Sequence, residues 1–331
     1  MTSSRPEVRV TEVGTRDGFQ AEREFIPTAV KAEVIDALIA AGLTHIEATS
    51  FVSPKAVPQL ADAAEVIALL RRRADAHLAA LAPNARGAER ALAAGVDEIV
   101  VFVSASESHN RANLNAPIAQ SLANVGEVTE AVAGRAPIRG AVACAFGCPF
   151  EGEVAVDAVL RIVDTYANLG FRTLTLGDTT GMATPPTVAR LVRAIGERFP
   201  SIATALHFHN TRGIGLANVL VGLDLGIREF ESSIAGLGGC PFAPGASGNV
   251  CTEDLVHMFE AMGCATGVDL EALLGWARRM PGIVEHDVPG QVMKAGPSSR
   301  RYPVPEGLGS DVEQQRLAAA DPASTHHRGA G

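Results

Sequence analysis

The chain is patterned as a (β/α)8 barrel with an appended C-terminal helical cap and a disordered tail. Three observations predict this. Short apolar runs of strand character recur eight times between residues 8 and 234. Segments with helical period separate them. The third is a recurring punctuation: AAGLTHIE at Gly42, AAGVDEIV at Gly95, NLGFRTLT at Gly170 and DLGIREFE at Gly226. A left-handed glycine just past a helix turns the chain into the next strand. Its regular return marks a repeated βα unit. A doubly wound sheet is the alternative, but it rarely needs so many parallel strands, and no G-x-G-x-x-G follows the first run.

The expected strands are VRVTEV (8–13), THIEATS (44–50), HLAALA (77–82), EIVVFVS (98–104), IRGAVACA (138–145), RTLTLGD (172–178), ATALHFH (203–209) and REFESSI (228–234). Pro27 opens the first helix and Gly42 closes it, with Val30, Val34, Leu38 and Ala41 on one face. Val66, Leu69 and Leu70 give the next helical segment its face. After residue 234 comes a glycine-rich loop, GLGGCPFAPGASGN, and then helical segments near 251–262 and 269–283. These read as a cap on the barrel, so the barrel domain is expected over 7–290. From Gly296 onward Pro, Gly, Ser, Arg and Ala dominate, and 296–331 is expected to be disordered.

Bulk properties exclude several function classes. The chain has 331 residues, 47% of them hydrophobic, enough for one large α/β domain. A net charge of −9 argues against a nucleic-acid partner, which wants a basic surface. No stretch approaches 18 uninterrupted apolar residues, and MTSSRPEVRV lacks an apolar signal core, so no membrane partner is expected. The five cysteines, Cys144, Cys148, Cys240, Cys251 and Cys264, are odd in number and irregular in spacing. Free thiols in a reducing cytoplasm are the plain reading. Cys144 and Cys148 are C-x-x-x-C with no second pair, which argues against a zinc knuckle.

A barrel carries its chemistry at the C-terminal ends of its strands, and the polar residues gather there. GTRDGFQ follows the first strand with Arg16, Asp17 and Gln20. Glu47 is an acid inside the apolar second strand, and the sixth strand ends in Asp178. The seventh ends in HFHN, where His207 and His209 share one face and Phe208 takes the other. Cys240, Asn249 and Glu253 lie in or just after the loop that follows the eighth. A carboxylate, two imidazoles and an amide oxygen from Asn249 suit Mg²⁺, Mn²⁺ or a similar ion better than a soft thiolate site would. Arg16 beside Asp17 suits a cation that stabilises a developing oxyanion, or a rim ion pair with Glu47; the two roles are compatible. Cys240 between Gly239 and Pro241 reads either as a small residue in a tight loop or as an accessible thiol. Asp178 could equally cap the turn after its strand. His45, His77, His257 and His286 have no partner in the pattern.

VTEVGTRDGFQ, IEATSFVSPK, LGDTTG, HFHN and above all GLGGCPFAPGASGNVCTEDLV resemble the 3-hydroxy-3-methylglutaryl-CoA lyase family, within a metal-dependent lyase/synthase superfamily on a TIM barrel. The resemblance covers roughly 7–285. It implies retro-Claisen cleavage of 3-hydroxy-3-methylglutaryl-CoA to acetyl-CoA and acetoacetate, with a CoA thioester as substrate, a role in leucine catabolism and a homodimer. It implies Asp17, His207, His209 and Asn249 as ligands of the divalent metal. It implies Arg16 as the group that stabilises the enolate, Cys240 as a mobile-loop thiol, and Asp17 or a histidine such as His207 as the base. Gln20, Glu47 and Asp178 fall on positions around substrate and metal, with Glu253 in support. Condensing relatives share HxHN but carry a different loop without the cysteine. Three departures bear on the acyl group: Arg139-Gly140-Ala141 where the family commonly has RGY, Asn210 and Arg212 in HNTRG where it usually has HDTYG, and Arg23 where a lysine is usual. A lyase for citramalyl-CoA or a longer branched 3-hydroxyglutaryl-CoA is the alternative on the same chemistry. A condensing synthase and a noncatalytic CoA-binding protein are further alternatives.

Overall fold

In the computed structural model, which describes residues 6–71, 74–239 and 248–303, the strands close into a barrel. β1 (Arg9–Glu12) leads to α1 (Thr28–Ala40), β2 (His45–Ser50) to α2 (Ala63–Leu69), and β3 (His77–Leu81) to α3 (Ala85–Ala94). β4 (Glu98–Ser104) is followed by two helices, α4 (Glu107–Leu114) and α5 (Ile118–Val132). β5 (Ile138–Ala143), α6 (Val156–Asn168), β6 (Thr173–Asp178), α7 (Pro185–Arg198), β7 (Ala203–Phe208), α8 (Gly215–Asp224) and β8 (Glu229–Ser232) complete the repeat. α9 (Thr252–Ala261), α10 (Leu270–Ala277), α11 (Met280–Val284) and α12 (Val292–Ala295) form the cap. Every strand pairs in parallel with the next, and β8 closes on β1 with Arg9 opposite Glu229 and Glu12 opposite Ser232.

All eight expected strands form, with their ends moved by at most two residues. The reason is local. Gly42, Gly95, Gly170 and Gly226 have φ of 98°, 83°, 89° and 92°. Each is the left-handed residue that ends a helix and starts a strand. Pro27 caps α1 from just outside its first turn. The expected face of α2 needs correction: Leu69 is 55% exposed. The helix ends there and Leu70 is already extended, so Ala63, Val66 and Ile67 carry the buried face.

The compact unit runs to Ala295, five residues past the expected boundary, because Asp254 on α9 accepts from the backbone of Gln291 and Val292 at the start of α12. Gly296–Gly331 is a second unit. Its described residues, 296–303, contain no helix or strand, and the expectation of disorder from 304 on lies outside the described residues.

The main apolar core lies between the strands and the helices, as in any βα barrel. The barrel interior is different. Its floor is ionic: Arg139 pairs with Glu98 at 3.2 Å and Glu229 at 2.7 Å, and His77 lies 3.6 Å from Glu98. His45 packs against His77, ring centroids 5.2 Å apart. These two histidines, unpartnered in the sequence pattern, are thus partners inside the barrel. Above this floor, Ala79, Leu81 and Val100 form a small separate apolar cluster with Phe102 and Ala141.

Gly140 shows how tightly the outer core is packed. A Cβ there would sit 2.4 Å from Cδ2 of Tyr166. The Tyr166 ring stacks on Phe171, and its hydroxyl donates to the Ala141 carbonyl at 2.9 Å. Gly140→Ala should therefore destabilise the fold by about 1–3 kcal/mol, the usual cost of overpacking. A urea unfolding curve checks this; an unchanged midpoint would mean that the ring yields freely.

Candidate metal centre

Asp17 reaches the barrel mouth because GTRDG, residues 14–18, forms one wide helical turn straight after β1. Glu12 fastens that turn. Its carboxylate accepts from Gly14 N at 2.7 Å, Ile234 N at 2.9 Å and Thr252 Oγ1 at 2.6 Å, tying the loops after β1 and β8 together. His207 lies on β7 and His209 just past its end, one strand repeat apart. Asn249 is brought beside them by the backbone of 248–250: Asn210 N donates to Gly248 O and Val250 N to Phe208 O. The path needs glycine at 248, where φ is 105° and a Cβ would lie 2.0 Å from Gly236 O.

Asp17, His207 and His209 offer ligand atoms that all lie within 4.8 Å of one another. Asp17 Oδ1 accepts from Arg16 Nη1 at 2.7 Å and from Gln20 Nε2 at 3.0 Å. Its Oδ2 accepts from Asn249 Nδ2 at 2.8 Å and lies 3.7 Å from His209 Nε2. Arg16 also grips Glu47 with two nitrogens, at 2.6 and 3.2 Å. The rim ion pair expected for Arg16 is thus present, and it aims the guanidinium at the same mouth.

Burial alone would raise the Asp17 carboxyl, but Arg16 and the two histidines outweigh it and hold the group far below the usual range, ionised. Burial pushes His209 down to about 4, so its ring is neutral at pH 7. An ionised carboxylate and a neutral imidazole are the forms that bind metal. Within this cluster two buried atoms are left without a hydrogen-bond partner among the described residues: Asn249 Oδ1 and His209 Nδ1. Asn249 cannot turn its amide over, since Nδ2 faces two acceptors, Asp17 Oδ2 and Leu237 O. Its oxygen is therefore free to ligate. Buried polar atoms are normally satisfied, so these residues fit a hard or borderline divalent ion.

Other expected residues fall nearby with different partners. Asp178 accepts from Met182 N at 2.7 Å and Ala183 N at 2.9 Å, which is the turn-capping role. Its other oxygen has no partner among the described residues. Burial raises this carboxyl to about 6. Glu253 sits at the start of α9 and accepts from Ala235 N at 3.0 Å, bracing the loop after β8 rather than facing the cluster. Cys240 lies outside the described residues. The HNTRG departure ties loops together: Arg212 Nη1 donates to Thr180 O and Gly181 O, and Asn210 Oδ1 accepts from Gly215 N. Ala141 joins the apolar cluster of β3 and β4. One residue was missed by sequence reasoning. Glu231 on β8 accepts from His207 Nδ1 at 3.0 Å. Its only signal is an acid two residues after Glu229, on the same strand face.

A closed parallel barrel that gathers a carboxylate, two imidazoles and an amide at its C-terminal mouth is a βα-barrel protein with a candidate divalent-metal site. The HMGL-like family model matches residues 7–279, and the chain belongs to that family. It is 47% identical over 268 residues to the mitochondrial hydroxymethylglutaryl-CoA lyase of Arabidopsis thaliana, a match covering 81% of this chain and 57% of that protein. It is 45% identical over 264 residues to the cytoplasmic 3-hydroxy-3-methylglutaryl-CoA lyase of Danio rerio, covering 80% of this chain and 79% of that one. Among solved structures it resembles an HMG-CoA lyase from Acinetobacter baumannii in complex with coenzyme A and 3-methylmalate. That likeness has a TM-score of 0.88 and 45% identity, over 92% of this chain and all of the other.

Proposed function

We propose that the protein cleaves 3-hydroxy-3-methylglutaryl-CoA to acetyl-CoA and acetoacetate, with Mg²⁺ or Mn²⁺ held by Asp17, His207, His209 and Asn249. The observation that carries this reading is the buried donor set itself, with Asn249 Oδ1 and His209 Nδ1 unpartnered, on a chain 45–47% identical to such lyases. When bound, the ion supplies Lewis acidity toward a substrate hydroxyl and carboxylate.

The protein's own groups do the rest. The C3 hydroxyl gives its proton to the Asp17 carboxylate, which keeps lone pairs beyond the one it would lend a metal; His207, with Nδ1 turned to Glu231 and Nε2 to the metal, has none to spare. The C2–C3 bond breaks, C3 becomes a ketone, and the electron pair passes to the thioester as an enolate. Arg16, held charged by Glu47 and Asp17 against the opposing effect of burial, stabilises the enolate oxygen. Protonation at C2 gives acetyl-CoA, and Cys240 is the thiol assigned to that step or to closing the mouth. Gln20 holds Asp17, Glu47 holds Arg16, and Asp178 lies beside the substrate. The apolar wall of Leu81, Phe102 and Ala141 suits the C3 methyl.

A homodimer and a place in leucine catabolism belong to the same proposal. So does the cytoplasm: the four described cysteines are buried and none is in a disulfide, which suits a reducing compartment. The names of the relatives place the Arabidopsis protein in mitochondria and the Danio protein in the cytoplasm. No described helix is long and apolar enough to cross a membrane.

The test is acetyl-CoA release with Mg²⁺ or Mn²⁺, comparing 3-hydroxy-3-methylglutaryl-CoA with citramalyl-CoA and a longer branched analogue. Chelation should lower turnover on the order of 10³-fold, the weight of several kcal/mol of charge stabilisation, and Mn²⁺ should restore it. Undiminished turnover after chelation would remove the metal from the reading. Preference for another thioester would keep the chemistry and change the substrate.

A further inference from the structure

The two imidazoles of the cluster are supported differently. His209 Nδ1 is buried and has no partner among the described residues. His207 Nδ1 lies 3.0 Å from Glu231 Oε2. The other oxygen of that carboxylate accepts from Thr175 Oγ1 at 2.6 Å. Thr175, His207 and Glu231 lie on three successive strands, β6, β7 and β8, and His207 stands directly opposite Glu231 in the strand register. Glu231 and Thr175 are 7% and 3% exposed. Water therefore does not compete for either hydrogen bond.

No neighbouring acid replaces Glu231. Glu229, on the same face of β8, is engaged below by Arg139 at 2.7 Å and Arg9 at 3.3 Å. Asp178 spends one oxygen on the backbone of Met182 and Ala183. Among the described residues, Glu231 is the carboxylate hydrogen-bonded to His207.

We infer that Glu231, braced by Thr175, is a positioning residue for the metal centre: it fixes the tautomer and orientation of His207. A carboxylate only accepts, so Nδ1 must carry the proton. Nε2 is then the ring nitrogen with a lone pair to give. A carboxylate partner also makes the ring a stronger donor, and loss of such a partner typically costs 10–100-fold in metal affinity. The hydroxyl of Thr175 matters because it is a donor. It holds the second carboxylate oxygen, so the first stays pointed at the ring. The polar floor thus sets the geometry of the mouth through one chain of contacts.

This inference rests on the metal reading proposed above, and metal binding without substrate separates the two. Mn²⁺ titration by calorimetry is run on the parent, Glu231→Gln, Thr175→Val and Thr175→Ser. In Glu231→Gln a single oxygen replaces two, and the amide nitrogen can donate to the ring and favour the wrong tautomer. Its Mn²⁺ affinity should fall about 10–100-fold. Thr175→Val, equal in shape but without the donor, should show a smaller loss, and Thr175→Ser should recover it. A merely structural role would lower the unfolding midpoint and leave the affinity of the folded fraction unchanged. Parent-like affinity in folded Glu231→Gln overturns the inference. Should that variant fail to fold, equal affinities for Thr175→Val and Thr175→Ser overturn it instead. Absence of Mn²⁺ binding to the parent overturns the metal reading and this inference together.

Discussion

His209→Ala is expected to abolish retention of a divalent ion and to lower turnover on the order of 10³-fold, while the barrel stays folded. The imidazole is buried, 4% exposed at its side chain, and lies 3.7 Å from Asp17 Oδ2. Its Nδ1 has no hydrogen-bond partner among the described residues. The segment is held through its backbone instead, by Asn210 N to Gly248 O and Val250 N to Phe208 O. Alanine therefore removes the proposed ligand at the cost of the ring's packing on His207, ring centroids 5.2 Å apart, while the backbone bonds that hold the segment remain. Asp17, His207 and Asn249 alone would not retain the ion through purification, and the several kcal/mol of charge stabilisation that it would supply are then lost. Metal content of the purified protein, turnover and circular dichroism would be read together. Parent-like metal content and turnover would sink the assignment.

The strands were legible because each is a short apolar run, and half of them follow a left-handed glycine. Both signals are local. Asp17, His207, His209 and Arg16 were legible for the related reason that polar residues at the ends of apolar strands are out of place unless they do something there. Glu231 was not. Glu229 and Glu231 look alike in REFESSI, and only the closed barrel shows that one faces Arg139 on the floor and the other His207. The ionic floor was hidden for the same reason. His45, His77, Glu98, Arg139 and Glu229 come from five strands, and no spacing in the sequence links them. Leu69 failed differently: helical period places it on the buried face, but the helix stops before tertiary packing can use it. Local pattern thus fixed where polar residues stand, and only closure of the barrel decided which of them meet.

Arg16 is where catalysis and stability are hardest to separate, and a pair of variants separates them. Arg16→Met removes the cation proposed for the enolate, for which a loss of about 10²–10³-fold in kcat is the usual size. It also strands Glu47, whose side chain is 4% exposed and whose two oxygens both bond Arg16. Breaking a buried pair by removing one partner costs about 3–5 kcal/mol. Burial already raises the Glu47 carboxyl, so without Arg16 it will take up a proton, which brings the cost toward the lower end. Arg16→Met should therefore lose both turnover and stability. In Arg16→Met/Glu47→Gln the stranded Glu47 charge is gone and Asp17 keeps its hydrogen bonds from Gln20 and Asn249, so much of the stability should return while turnover stays low. Arg16→Lys should fall between, because an ammonium cannot span both Glu47 oxygens and Asp17 as the planar fork does. Urea midpoints and acetyl-CoA release under single-turnover conditions check each arm. Recovery of turnover in the double variant would reduce Arg16 to a counter-ion for Glu47. A stable but inactive double variant would leave the guanidinium itself as the group the reaction needs, with Glu47 present to aim it.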